Sequence, residues 1–354
     1  MDYKRHDGIN PMRIDSKTFG NRNIPSHYGD IPKECRAVRE SAGIIDLSHW
    51  TKISITGADR KGFLHGMTTN EVTKLNPGEG NYALFLTPHG RILGDFFLFD
   101  QGEELLLLGR ESIHEPVWNG LNKYIITEDV RLIDRSEEFM LFSIQGPWSL
   151  DLLSSRLTEG SLPEKEYCHQ SIRLSGIPCL GIRQSHTGEI GFDIPAKADD
   201  AESLWSILLQ AGATPVGQEA LEILRVEAGI PIHGHELNAD VFPQEARLDH
   251  AVSYTKGCYI GQETVARLHF RGHVNRELTG FVLETNAPPE PPLMLTQDEK
   301  NVGLITSTVY SHALSQVIAL GFLRCELREA GTEVTACRDA QTLRAVIYTL
   351  PFVE

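Results

Sequence analysis

Four of the five residues in Pro288-Pro289-Glu290-Pro291-Pro292 are proline. Proline fixes φ and lacks an amide donor, so this stretch cannot run through a helix interior or a central strand. It marks a boundary late in the chain. Beyond it, Val302 to Val309, Gln316 to Phe322 and Leu343 to Tyr348 are short and rich in β-branched residues. They predict a small all-β module, a barrel, over residues 281–354.

Upstream the pattern is mixed. Pro32 to Ser41, Pro116 to Tyr124, Glu202 to Ala211 and Gln218 to Glu227 have helical spacing, while Lys52 to Thr56 alternates like a strand. Asn81 to Leu86 and Ile92 to Phe99 flank Pro88-His89-Gly90, which predicts a β-hairpin. Such interleaving of hairpins and helices predicts an α+β fold over 32–280, not a doubly wound parallel sheet. Residues 1–31 are polar, lack the apolar core of a signal peptide and read as a leader.

The net charge of −15 opposes binding to nucleic acid or anionic lipid. No apolar run is long enough to span a bilayer, so no membrane partner is expected. The six cysteines form no C-x-x-C pair, and a chain of this size needs no disulfide scaffold. Reduced thiols in a cytoplasmic setting fit.

Chemistry concentrates in Lys256-Gly257-Cys258-Tyr259-Ile260-Gly261-Gln262-Glu263, followed by Arg267. The glycines allow a tight turn, and from Gln262 the residues suit a helix. Glu263 and Arg267 stand four apart in the order that favours a helical ion pair. Cys258 is then either a small buried hydrophobe or a thiol activated by a helix start and neighbouring cations. The run Thr264 to Arg276 holds Arg267, Arg271, Arg276, His269 and His273 and no acid. It is a solvated face or a patch for an anionic tail.

Three further residues have a functional and a plain reading. Glu189, after Thr187-Gly188, is a loop carboxylate or a ligand-binding one. Arg225, on an apolar helix, pairs with Glu222 or Glu227, or else holds a ligand carboxylate at two points. Asp95 ends a strand or acts as a general base. His233-Gly234-His235-Glu236 lacks a third convergent ligand for a metal, and Pro77-Gly78-Glu79-Gly80 is no nucleotide motif. Asp46, Ser48 and His49 read as capping residues.

The K-G-C-Y-x-G-Q-E run resembles the signature of the YgfZ proteins, folate-binding relatives of the glycine-cleavage T-protein (aminomethyltransferase) that are tied to iron–sulfur cluster assembly or repair. Asp46-Leu47-Ser48-His49, Gly90 to Asp95, Lys123 to Ile126, Gln145-Gly146-Pro147, Thr187 to Phe192 and Leu224 to Gly229 resemble further family segments, in family order.

The resemblance implies a three-lobed ring, two α+β lobes and a C-terminal barrel, with tetrahydrofolate as cofactor. Glu189 would sit on the pterin, Arg225 would hold the folate tail and Asp95 would lie near the reactive nitrogens. The T-proteins carry two adjacent acids at the last site, and here Gly94 replaces one of the pair. Cys258, helped by Lys256 and Arg267, would carry the distinctive chemistry. Iron–sulfur client or assembly proteins are the implied partners. One cysteine cannot build a cluster site, so no resident cluster or metal is expected. The alternatives are a true aminomethyltransferase and a non-catalytic folate-binding scaffold.

Overall fold

The computed structural model describes residues 15–19, 22–339 and 341–353. The chain forms two compact units. The first takes the described residues up to Trp50 and Ser136–Leu224; the second takes Thr51–Arg135 and the described residues from Arg225 onward. Among the described residues no helix is long and apolar enough to cross a membrane.

The first unit is built on a seven-stranded sheet in the order Leu157–Glu159, His169–Leu174, Ile177–Arg183, Gly191–Lys197, Phe139–Gln145, Gly43–Asp46, Thr214–Val216. Its neighbours run antiparallel except the last pair, which is parallel. Helix Ala201–Gln210 buries Ala201, Leu204, Trp205 and Leu208. That spacing gives one apolar face, which packs with Phe142, Ile144, Phe192 and Ile194 from the sheet. Helix Ile31–Glu40 begins where Asp30 accepts from the Lys33 amide at 3.0 Å, with a proline in its first turn. The expected helix from Pro32 is therefore present. Within the expected leader, residues 1–14 lie outside the described residues, and Ser16–Phe19 pairs with Arg22–Pro25.

In the second unit a five-stranded antiparallel sheet runs Gly80–Leu86, Ile92–Asp100, Leu105–Gly109, Thr51–Thr56, Arg131–Asp134. The expected hairpin around Pro88-His89-Gly90 is its first pair, and Gly90 takes a positive φ of 81° in the turn. Ile53, Phe85, Phe96, Leu98 and Leu107 share a core with Val117 and Leu121 of helix His114–Tyr124.

The same unit holds a closed six-stranded barrel: Arg276–Leu283, Gln316–Arg324, Lys300–Ser311, Leu293–Gln297, Glu333–Arg338, Gln341–Tyr348. It closes by pairing the first and last of these strands, and Phe281, Leu295, Ile305, Val317, Ala336 and Ala345 fill it. The expected boundary at residue 281 falls inside the strand Arg276–Leu283. The proline cluster is the loop after the barrel's first strand, where no ladder hydrogen bond is needed. The α+β class with a C-terminal barrel is the observed architecture.

Candidate functional site

Asp95 lies within the strand Ile92–Asp100 and is 9% exposed. In the hairpin it pairs with Leu84, so Tyr82, two residues along the partner strand, shares its face. The Tyr82 hydroxyl donates to Asp95 Oδ2 at 2.9 Å. Asp95 Oδ1 is buried and has no hydrogen-bond partner among the described residues. Burial raises the carboxyl pKa; the Tyr82 hydrogen bond and the nearby Arg110 and His233 charges oppose that rise.

Three elements converge here. A Cβ on Gly109 would stand 3.2 Å from the Asp95 carbonyl, so Arg110 follows directly on the Asp95 backbone. His233 reaches Ser112 Oγ through Nδ1 at 3.1 Å, and burial lowers its pKa. The histidine-containing loop, which from sequence lacks a third metal ligand, thus supplies a half-buried imidazole beside Asp95. No group of His, Cys, Asp and Glu suited to a metal ion occurs among the described residues. Gly94 also has a physical reason: a Cβ there would lie 2.7 Å from Val117 Cγ2, a buried helix residue. A side chain at position 94 would require the Val117 side chain to shift.

Arg225 is wholly buried. Its Nη1 donates to Glu236 Oε2 at 2.8 Å and to the Ile230 carbonyl at 3.2 Å, and its Nη2 to Ser307 Oγ at 2.6 Å. Glu236 also accepts from the Ile232 amide, Thr306 Oγ1 and Ser307 Oγ. A register shift between Ile305 and Ser307 lets consecutive hydroxyls reach one carboxylate. Beyond the Glu222 and Glu227 pairings that helical spacing offers, Arg225 forms an ion pair with Glu236, and Glu227 accepts from Ser311 Oγ at 2.6 Å. Held this way, the guanidinium clamps the loop that carries His233.

The motif run presents its thiol differently from its lysine. Cys258 is exposed, which removes the buried-hydrophobe reading. Gly261 has a φ of 84° at the start of helix Gln262–Arg271, and a Cβ there would meet the Thr87 carbonyl at 2.6 Å. Lys256, expected to assist the thiol, is 8% exposed and turns inward. Its Nζ donates to the carbonyls of His65, Thr68 and Asn70 at 2.5, 2.7 and 2.8 Å. These are the end carbonyls of helix Arg60–Met67 and the turn after it, natural acceptors for a cation. Burial takes the ammonium down to about 8. The Ile260 amide bonds the Gly66 carbonyl at 3.2 Å, so the Cys258 segment is strapped along the end of that helix. Tyr259 is buried, and Glu263 and Arg267 are exposed. In the basic run Arg276 pairs with Glu245 at 3.0 Å, while Arg267 and Arg271 are exposed.

Glu189 belongs to the first unit, in the turn between Ile177–Arg183 and Gly191–Lys197. Gly188 supplies a φ of 84°. Glu189 Oε1 accepts from Arg39 Nη1 at 2.9 Å, with the two side chains 24% and 17% exposed. The structure therefore groups Asp95 with Tyr82, Arg110 and His233, and Glu189 with Arg39. Tyr82, Arg110 and Arg39 are not singled out in the sequence, and His233 enters there only in a run weighed as a metal site. Only the hairpin pattern carried a usable signal, because period two puts Tyr82 on the Asp95 face once the register is known.

Residues 13–256 match the GCVT N-terminal domain, and residues 276–354 match the glycine cleavage T-protein C-terminal barrel domain. The chain belongs to the glycine cleavage T-protein family. It is 32% identical to the aminomethyltransferase of Geobacillus kaustophilus, over 96% of this chain and 95% of the relative. It is 30% identical to that of Prosthecochloris aestuarii, over 99% and 98%. The glycine cleavage system aminomethyltransferase T of Bartonella henselae has the same fold, with a TM-score of 0.86 at 24% identity, covering 96% of this chain and 94% of that one.

Proposed function

We propose that this chain is a tetrahydrofolate-dependent one-carbon transferase of the aminomethyltransferase type. The observation that carries the reading is Asp95: a buried carboxylate with one oxygen held by Tyr82 and the other unpartnered. Burial that favours its protonated form suits a group that exchanges a proton with a ligand nitrogen. Relatives named aminomethyltransferase along the full length of the chain support it. They move the weight away from iron–sulfur support, the first expectation from the motif.

Tetrahydrofolate is the cofactor in this reading. An aminomethyl group on a carrier thiol gives its methylene carbon to folate; ammonium leaves and the thiol is regained. Asp95 holds and moves the proton at Oδ1, and Tyr82 fixes the carboxylate through Oδ2. Glu189 is the carboxylate assigned to the guanidine-like edge of the pterin. The test is an assay with tetrahydrofolate and an aminomethylated dihydrolipoyl donor, reading ammonia and methylene-tetrahydrofolate together. Asp95→Asn lowers the rate on the order of a hundredfold or more, and Cys258→Ser leaves it unchanged. Absence of both products with folded wild type contradicts the reading.

A second reading, the YgfZ type acting with iron–sulfur client or assembly proteins, is favoured by two observations. Cys258 is exposed on a strapped turn, and position 94 is glycine where the T-proteins have a second acid, packed close against the Val117 side chain. Under it Cys258→Ala fails to restore iron–sulfur enzyme activity in a deletion strain, while Asp95→Asn restores it.

A further inference from the structure

Glu189 is held from two sides. Arg39 stands in the last turn of helix Ile31–Glu40, and that helix is itself fixed. Glu34, 3% exposed, accepts from the Tyr28 amide at 2.6 Å and the Gly217 amide at 2.9 Å, and Cys35 and Val38 are buried. The guanidinium is therefore delivered from a rigid base. It takes Oε1 of Glu189 and leaves Oε2 outside the pair.

Behind the turn stands Gln145, which is buried. Its Nε2 donates to Ser143 Oγ at 2.8 Å and to the Gln184 carbonyl at 3.0 Å. Its Oε1 accepts from the His186 amide at 3.1 Å and Thr187 Oγ1 at 3.3 Å. The amide thus ties together Gln184, His186 and Thr187, the residues that lead into Glu189. Gly191 is required for this: a Cβ there would lie 2.1 Å from Gln145 Nε2. His186 is locked in turn by Asp193 at 2.9 Å and by the edge of Trp50.

We propose that Arg39 and Gln145 are positioning residues that preorganise Glu189 for the guanidine-like edge of a pterin, Arg39 gripping one carboxylate oxygen and Gln145 fixing the turn. The inference rests on the reading of Glu189 as the pterin carboxylate. A carboxylate that pairs with a planar edge at two points gains from having its plane set in advance. Arg39 sets the plane without covering Oε2, and Gln145 sets the backbone from which it projects.

The test is calorimetric titration with tetrahydrofolate and with tailless 6-methyltetrahydropterin. Arg39→Met weakens both ligands by about fivefold, the scale of a partly exposed ion pair, and Arg39→Lys recovers part of the loss. Gln145→Ala weakens both as well. In a Glu189→Gln background, Arg39→Met changes neither ligand by more than about twofold, since the two side chains act through one contact. Equal or tighter binding by Arg39→Met overturns the proposal, because it makes the guanidinium a competitor of the pterin. A loss confined to the tailed ligand overturns it too. If Glu189→Gln binds like wild type, the underlying reading of Glu189 fails. If Glu189→Gln loses binding while a folded Arg39→Met does not, the positioning role alone fails.

Discussion

Tyr82 donates its hydroxyl to Oδ2 of Asp95 at 2.9 Å while Oδ1 of the same carboxylate has no partner among the described residues. A buried group left half satisfied costs stability, and such groups gather where a ligand completes them. The Arg110 and His233 charges favour the ionised form of Asp95 without outweighing its desolvation.

The first prediction concerns that cost. The folded pKa of Asp95 is raised above the unfolded value of about 3.9. The folded state therefore binds the proton more tightly, and stability is lost as pH rises through the folded pKa. Asparagine does not ionise. The stability of Asp95→Asn relative to wild type increases from about pH 4 to about pH 7. Urea unfolding at both values checks this; a difference independent of pH contradicts it.

Lys256 gives the opposite sign. Its folded pKa of about 8 lies below the unfolded value of about 10.4. Between the two the unfolded chain holds the extra proton, so this group's contribution to stability rises with pH across that window. Lys256→Met removes three carbonyl contacts and costs about 2–4 kcal/mol at neutral pH. The gap to wild type widens from about pH 8 to about pH 10. Amide exchange at Ile260 accelerates in the variant, because its bond to Gly66 depends on the strap.

Arg225→Met leaves the Glu236 carboxylate buried without its cation and destabilises by about 3–5 kcal/mol. Adding Glu236→Gln recovers part of that loss, and Arg225→Lys does not replace the fork. Chemical denaturation measures all three. A folded, nearly wild-type Arg225→Met with weakened folate binding would support the tail-binding role of Arg225.

Cys258 is the fastest thiol to react with iodoacetamide at neutral pH. It is exposed, whereas Cys35 is buried and burial pushes Cys179 up to about 11. Mass spectrometry after a short pulse identifies the modified residue. Protein alkylated there retains methylene transfer under the aminomethyltransferase reading and loses biological rescue under the iron–sulfur reading.

Local chemistry made much of this legible before any coordinates. The prolines from Pro288 break the chain after a strand, Pro88-His89-Gly90 turns a hairpin and Gly188 turns the loop of Glu189, because each acts on its immediate neighbours. Partners distant in sequence were not legible. Lys256 caps a helix 191 residues earlier, and Arg225 bonds Ser307 on a barrel strand. Helical spacing pointed Arg225 toward Glu222 and Glu227 and gave no hint of Glu236, which lies eleven residues on and beyond the helix Gln218–Glu227. Nothing in the sequence neighbourhood of His233 reveals that its loop folds back onto Asp95.

The most direct measurement is calorimetric titration of the purified protein with tetrahydrofolate, wild type beside Asp95→Asn and Glu189→Gln. The account predicts saturable one-to-one binding by wild type that each substitution weakens by tenfold or more, on the order of one lost charge-assisted contact. Folded wild type that takes up no tetrahydrofolate, or binding indifferent to both carboxylates, contradicts it.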